Sequence, residues 1–179
     1  MKDDAEDNAG VIAFPPLIGF GPLVVGLLLN WAFPLGFSPN GLQLRVSLPV
    51  IFIGVSPWIL TVSLLQLVFS LSIIVLGILL MMWAGRTLRL NGTTVAVSKP
   101  TRVIVDGGPY RFSRNPIYLS GALIYVGIAV FFNALWAMLL LPVAFLGLQF
   151  GVIAREERYL ERKFGEEYLR YKRKVRQWL

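Results

Sequence analysis

The chain has 179 residues, is 56% hydrophobic and 15% charged, carries a net charge of +7, and contains neither cysteine nor histidine. A soluble domain holds about 25% charged residues. The missing residue types exclude disulfide scaffolding, thiol catalysis, Cys/His zinc sites and a histidine general base. The 17 Lys and Arg residues flank apolar stretches, the distribution that anionic lipid headgroups and membrane topology demand, and it argues against nucleic acid as a partner.

Residues 1–10 are acidic and are expected to be disordered; they lack the positive n-region of a cleavable signal. An apolar span follows over about 11–33, with Pro15, Pro16 and Gly19 suggesting a kinked or late-starting helix. Pro34, Gly36, Pro39 and Gly41 punctuate a turn. The next charge-free window, 46–84, holds 39 residues. As one helix it would run about 58 Å, against about 30 Å of hydrocarbon, so it must fold back. The expected division is a short span around 44–63, bent at Pro49 or Pro57, and a second span over 64–83. Residues 86–114 form a polar loop with six basic residues and one acid. The last charge-free window, 115–154, divides near Phe131-Phe132-Asn133-Ala134 into a tight helical hairpin. Beyond it, Leu160, Phe164, Tyr168, Tyr171, Val175 and Trp178 recur at intervals of four and three. That spacing predicts an amphipathic helix suited to lying on a membrane surface.

The expected fold is therefore all-α: a polytopic membrane helix bundle of about five transmembrane helices plus the C-terminal amphipathic helix. It divides into residues 1–10, N-terminal membrane helices over 11–84, and a functional region over 85–179. The basic loop and tail belong on the cytoplasmic side. Five crossings put the N-terminus outside and four put it inside; five is the preferred count.

Chemistry concentrates at the two ends of the last hairpin, which must share one membrane face. At the first end, Gly107-Gly108-Pro109-Tyr110 reads as a turn that brings backbone close to a ligand, or simply as a loop entering a helix. Asn115-Pro116 then starts a helix, since Asn favours the N-cap and Pro the first helical position. With Arg111 and Arg114 beside it, that helix N-terminus suits a carboxylate or phosphate; the arginines would equally anchor lipid phosphates. At the second end stand Glu156 and Glu157. They pair with Arg114, accept from a cationic or hydroxylated ligand, or make surface pairs with Arg162 and Lys163.

Tyr110-Arg111-Phe112-Ser113-Arg114-Asn115-Pro116-Ile117-Tyr118 with Gly121, and Glu156-Glu157 with Phe164-Gly165-Glu166-Glu167-Tyr168-Leu169-Arg170-Tyr171, resemble the integral-membrane methyltransferases. These include isoprenylcysteine carboxyl methyltransferase and the phospholipid N-methyltransferases, and the resemblance covers roughly 86–174. It implies S-adenosyl-L-methionine bound at the cytoplasmic membrane face by Arg102, Val103, Ile104, Val105, Tyr110, Asn115, Pro116, Tyr118 and Glu156. It makes Arg114, Glu156 and Glu157 the candidate catalytic residues, and Arg111 and Arg155 the candidates on the substrate side. Asn115 departs from the prenylcysteine enzymes, where that position is usually His; Asn hydrogen-bonds but does not shuttle a proton. The implied reaction is methyl transfer to a lipophilic acceptor, a prenylated thiol-acid carboxylate or a lipid amine, in a cell membrane of prokaryotic type. The rival readings are a membrane sterol-type reductase using NADPH, and a non-catalytic lipid-binding scaffold.

Overall fold

A computed structural model describes residues 14–36, 43–47, 59–93 and 103–179, with backbone alone for 43–47 and 59–63. The N-terminal acidic segment lies outside the described residues. Helix α1 spans Pro15–Ala32, starting late because Pro15 and Pro16 occupy the opening positions where a missing N–H costs nothing. Helix α2 spans Leu64–Leu90, α3 Pro116–Phe131 and α4 Leu135–Leu148. A π-helical turn, Gln149–Ile153, joins α4 to α5, Ala154–Phe164, and α6 covers Glu166–Lys174.

The helical membrane class holds. Among the described residues, α1, α2 and the run beginning with α4 are long and apolar enough to cross a bilayer, and α3 is a shorter apolar helix. Of the additional span expected around 44–63, the described ends are extended: β1, Gln43–Ser47, pairs antiparallel with β2, Ile59–Ser63, in the register Gln43↔Ser63 to Ser47↔Ile59; residues 48–58 lie outside the described residues. Val46, Ile59, Thr61 and Val62 favour extended backbone. The expected bend at Pro49 or Pro57 lies outside the described residues. The expected break at residue 64 is where α2 begins.

The helices pack in two antiparallel pairs through small residues, the usual way for membrane helices to approach. On α2 and α3, a Cβ added at Gly77 would meet Ile124 Cγ1 at 2.8 Å, and one at Gly127 would meet Ile74 Cγ1 at 2.5 Å. On α1 and α4, Gly26 lies against the Ala137 backbone and Gly19 against Leu148. Tyr125 of α3 ties the pairs together, its hydroxyl donating to the Ala137 carbonyl at 2.8 Å. At the far face, the Trp136 indole donates to the Phe33 carbonyl and the Leu135 N–H to Leu35. Consequently the start of α1, the end of α2, the start of α3 and the end of α4 share one face, so α1 enters from that face. Among the described residues, the four apolar helices alternate in direction between the two faces.

The apolar run ends at the π turn. Helix α5 (Ala-Arg-Glu-Glu-Arg-Tyr-Leu-Glu-Arg-Lys-Phe) is mostly charged and stands outside the hydrocarbon. The C-terminal amphipathic helix is two helices, broken at Gly165, whose φ of 53° suits glycine. Its apolar stripe does not turn to lipid. Tyr168, Tyr171 and Val175 are buried with Ile104, Leu160 and Phe164, so α5 and α6 roof the bundle end. Burying those rings against the loop removes more apolar surface from water than a half-immersed position would.

Candidate functional site

The site is built where that roof meets the motif loop. Gly108, at φ 57°, sits so close to α2 that a Cβ there would meet Thr87 Oγ1 at 2.6 Å. The 3-10 turn it opens, Gly108–Arg111, directs Tyr110 inward beside Ala84 and Val105. The Tyr171 hydroxyl donates to the Tyr110 carbonyl at 2.7 Å, clamping the turn to the roof. Asn115 occupies the N-cap position of α3, yet its side chain makes no cap bond. Its Nδ2 donates to the Gln177 carbonyl at 3.1 Å instead. The first turn of α3 then carries Tyr118, whose hydroxyl donates to Glu156 Oε1 at 2.7 Å.

The two glutamates have different partners. Glu157 lies 3.1 Å from Arg114 Nη1 and 3.2 Å from Lys172 Nζ, with the Arg114 and Glu157 side chains only 9% and 14% exposed. Lys172 also meets Glu161 at 2.7 Å; that bond first, and Glu157 after it, raise the Lys172 pKa above its ordinary value. The Arg114–Glu157 contact is an ion pair by distance but lies off the hydrogen-bonding direction. Arg114 Nη1 and Nε are buried without a hydrogen-bond partner among the described residues, an expensive state that a ligand anion would relieve. Burial, and less strongly the charge of Glu157, push the Glu156 carboxyl up to about 7, while the Tyr118 hydroxyl pulls it down. Burial likewise raises Tyr110, Tyr168 and Tyr171, keeping their hydroxyls protonated.

These groups line one cavity of about 860 Å³. Its polar end presents Tyr110, Arg114, Asn115, Tyr118, Glu156 and Glu157; its apolar end runs between α1, α3 and α4 past Phe20, Leu141, Phe145 and Leu148. Most candidates read from sequence converge there: Val103, Ile104, Val105, Tyr110, Arg114, Asn115, Pro116, Tyr118, Glu156 and Glu157 all line it. Arg102 lies outside the described residues. Arg111 and Arg155, expected on the substrate side, are not among the lining residues. Arg111 is exposed, with its guanidinium 4.6 Å from the Phe112 ring centroid. Arg155 precedes Glu156 on α5, and one helical step of about 100° turns it off the cavity face. Sequence reasoning missed Tyr159, Trp178 and the α1 wall of Phe14, Pro15, Pro16 and Phe20 as cavity lining. In the sequence Tyr168 and Tyr171 belong to the apolar stripe and to the motif that carries the resemblance, but not to the candidate site residues.

The bundle is that of an integral membrane protein, and its cavity is lined by both charged and apolar side chains. The chain belongs to the phospholipid methyltransferase family, whose match spans residues 65–167. That span contains α2, the motif loop, the α3–α4 hairpin, α5 and the start of α6. An uncharacterized protein of Haemophilus influenzae is 78% identical over 27 residues, 15% of this chain and 43% of that protein; the chain thus matches less than half the length of that relative. No solved structure matches the chain.

Proposed function

We propose that the protein transfers a methyl group from S-adenosyl-L-methionine to a lipophilic acceptor at the cytoplasmic face of a cell membrane, with residues 85–179 as the catalytic region. The observation that carries this is the single cavity joining a charged, tyrosine-rich end to an apolar arm between membrane helices. Its volume lies in the upper part of the range for small-molecule sites, about 300–1,000 Å³, which leaves room for cofactor and acceptor headgroup together. The residues present fit the cofactor: the unpartnered Arg114 Nε suits a carboxylate, and Glu156 suits an ammonium. The cofactor supplies a sulfonium-bound methyl group, and its transfer neutralises the positive charge on sulfur.

The chain's own residues then bind, orient and exclude water. Arg114 is held against Glu157, so the pair adds no net charge to the pocket. Val103, Ile104 and Val105 wall the cofactor side with Tyr110. The roof of Tyr168 and Tyr171 closes the site to water, which strengthens every polar contact inside and favours near-attack geometry. Among the described cavity residues with a shifted pKa, Glu156 alone titrates near neutrality. It is therefore the group to accept a proton from an amine acceptor, and this favours a lipid amine over a carboxylate. The basic loop and tail support a cytoplasmic position for this face.

The test is calorimetric titration of S-adenosylmethionine into detergent-purified wild type, Glu156→Ala and Asn115→Ala. Saturable binding by wild type that both variants lose is the expected result. No binding by a folded wild type overturns the proposal, and an NADPH titration then separates a reductase from a scaffold.

A further inference from the structure

One short segment bridges the two polar clusters of the site. After α6 the chain turns extended at Val175 (φ −119°, ψ 130°) and crosses the start of α3. The Arg176 carbonyl accepts from the Arg114 N–H at 3.0 Å. The Gln177 carbonyl accepts from Ser113 Oγ at 3.2 Å and from Asn115 Nδ2 at 3.1 Å. The Gln177 side chain reaches the other way: its Nε2 donates to Glu157 Oε1 at 3.3 Å, and its Oε1 accepts from Gln149 Nε2 at 3.4 Å. Trp178 follows, stacked on Phe145 with centroids 4.6 Å apart. Gln177 thus joins the motif loop to the contiguous π turn and α5, which are distant from it in sequence.

Resting on the methyltransferase reading above, we propose that Gln177 is a positioning residue that holds Glu157, and through it Arg114, in the geometry that receives the cofactor. Three groups hold the Glu157 carboxylate: Arg114 Nη1 lies 3.1 Å from Oε1 as an ion pair, the Gln177 amide donates to Oε1, and Lys172 Nζ lies 3.2 Å from Oε2. Lys172 is 37% exposed and shared with Glu161, so it is a soft restraint. Gln177 is tied by its own backbone to the motif it serves, which makes it a stiff one. With Glu157 held, the Arg114 guanidinium keeps Nη1 against the carboxylate as an ion pair and leaves Nε for a ligand. Released, Glu157 follows Lys172 toward Glu161, and Arg114 loses its register.

Gln177→Glu and Gln177→Ala test this by calorimetry with S-adenosylmethionine at pH 8 and pH 5, each compared with wild type at the same pH because Glu156 titrates in between. Gln177→Glu keeps the shape but sets a second carboxylate against Glu157. Its affinity is expected to fall at least tenfold at pH 8, the scale of one charge-assisted hydrogen bond. At pH 5 its protonated carboxyl donates again, and the ratio to wild type returns toward one in the same sample, which shows the fold intact. Gln177→Ala is expected to lose a similar factor at both pH values. Affinities equal to wild type in both variants, or a Gln177→Glu loss independent of pH, overturn the proposal while leaving the methyltransferase reading in place. Absence of binding by wild type overturns both.

Discussion

Replacing Tyr118 with Phe removes one oxygen and leaves the ring that lines the cavity. The hydroxyl donates to Glu156 Oε1 at 2.7 Å, a distance typical of a strong bond to a charged acceptor. Such a bond is worth about 1.5–3 kcal/mol, and one pKa unit corresponds to about 1.4 kcal/mol. Because the hydroxyl favours the ionised carboxylate, its loss should raise the Glu156 pKa from about 7 by about one to two units. If the carboxylate form holds the cofactor, wild-type affinity for S-adenosylmethionine should fall on the acid side with a midpoint near 7. In Tyr118→Phe the midpoint should lie at least one unit higher. Calorimetry from pH 5.5 to 9.5 reads the binding side. The carboxyl ¹³C shift of Glu156, assigned by its disappearance in Glu156→Gln, reads the group without the cofactor. A midpoint and a carboxyl titration both unmoved by Tyr118→Phe would refute the coupling.

The same raised pKa predicts a stability effect of definite sign. Glu156 titrates near its ordinary 4.5 unfolded and near 7 folded, so its contribution is full below 4.5 and is lost as pH rises through 7. Glu156→Gln should therefore raise the melting temperature at pH 8 and leave it nearly unchanged at pH 4. Gly26→Leu drives a side chain into the Ala137 backbone; separation of α1 from α4 should cost at least about 1–3 kcal/mol, read as a lower unfolding temperature in detergent. Arg114→Ala strips Glu157 of its buried partner and should cost about 3 kcal/mol or more. Lys172→Ala, at a half-exposed position, should cost under about 1 kcal/mol; equal losses in denaturation assays would contradict the burial argument.

The convergence of the two polar clusters was legible before any coordinates. A charge-free window too long for one crossing has to return to the side it left, so Arg114 and Glu157 had to meet at one face. Arg155 and Arg111 show where that logic stops. They are adjacent in sequence to cavity residues, but neighbours on a helix point about 100° apart, and only the packing chooses which faces in. Asn115 shows a second limit. Its position at the N-cap follows from local rules, whereas its bond to Gln177 joins residues 62 apart. Gln43–Ser47 and Ile59–Ser63 show a third, because hydropathy reports burial in lipid or protein and does not distinguish a helix from a strand over a short apolar run.

By itself the sequence determined a helical membrane protein with a polar site at one face. Charge exclusion from about 30 Å of hydrocarbon is a one-dimensional constraint that a chain either meets or fails. Tertiary structure alone decided that the apolar stripe of α5 and α6 packs against the motif loop and roofs a cavity. It also decided that Glu156 pairs with Tyr118 while Glu157 pairs with Arg114, and that Gln177 binds the parts together. Those outcomes depend on helix rotation, on the π turn before α5 and on contacts between distant segments, each set by the packing of the whole end of the bundle.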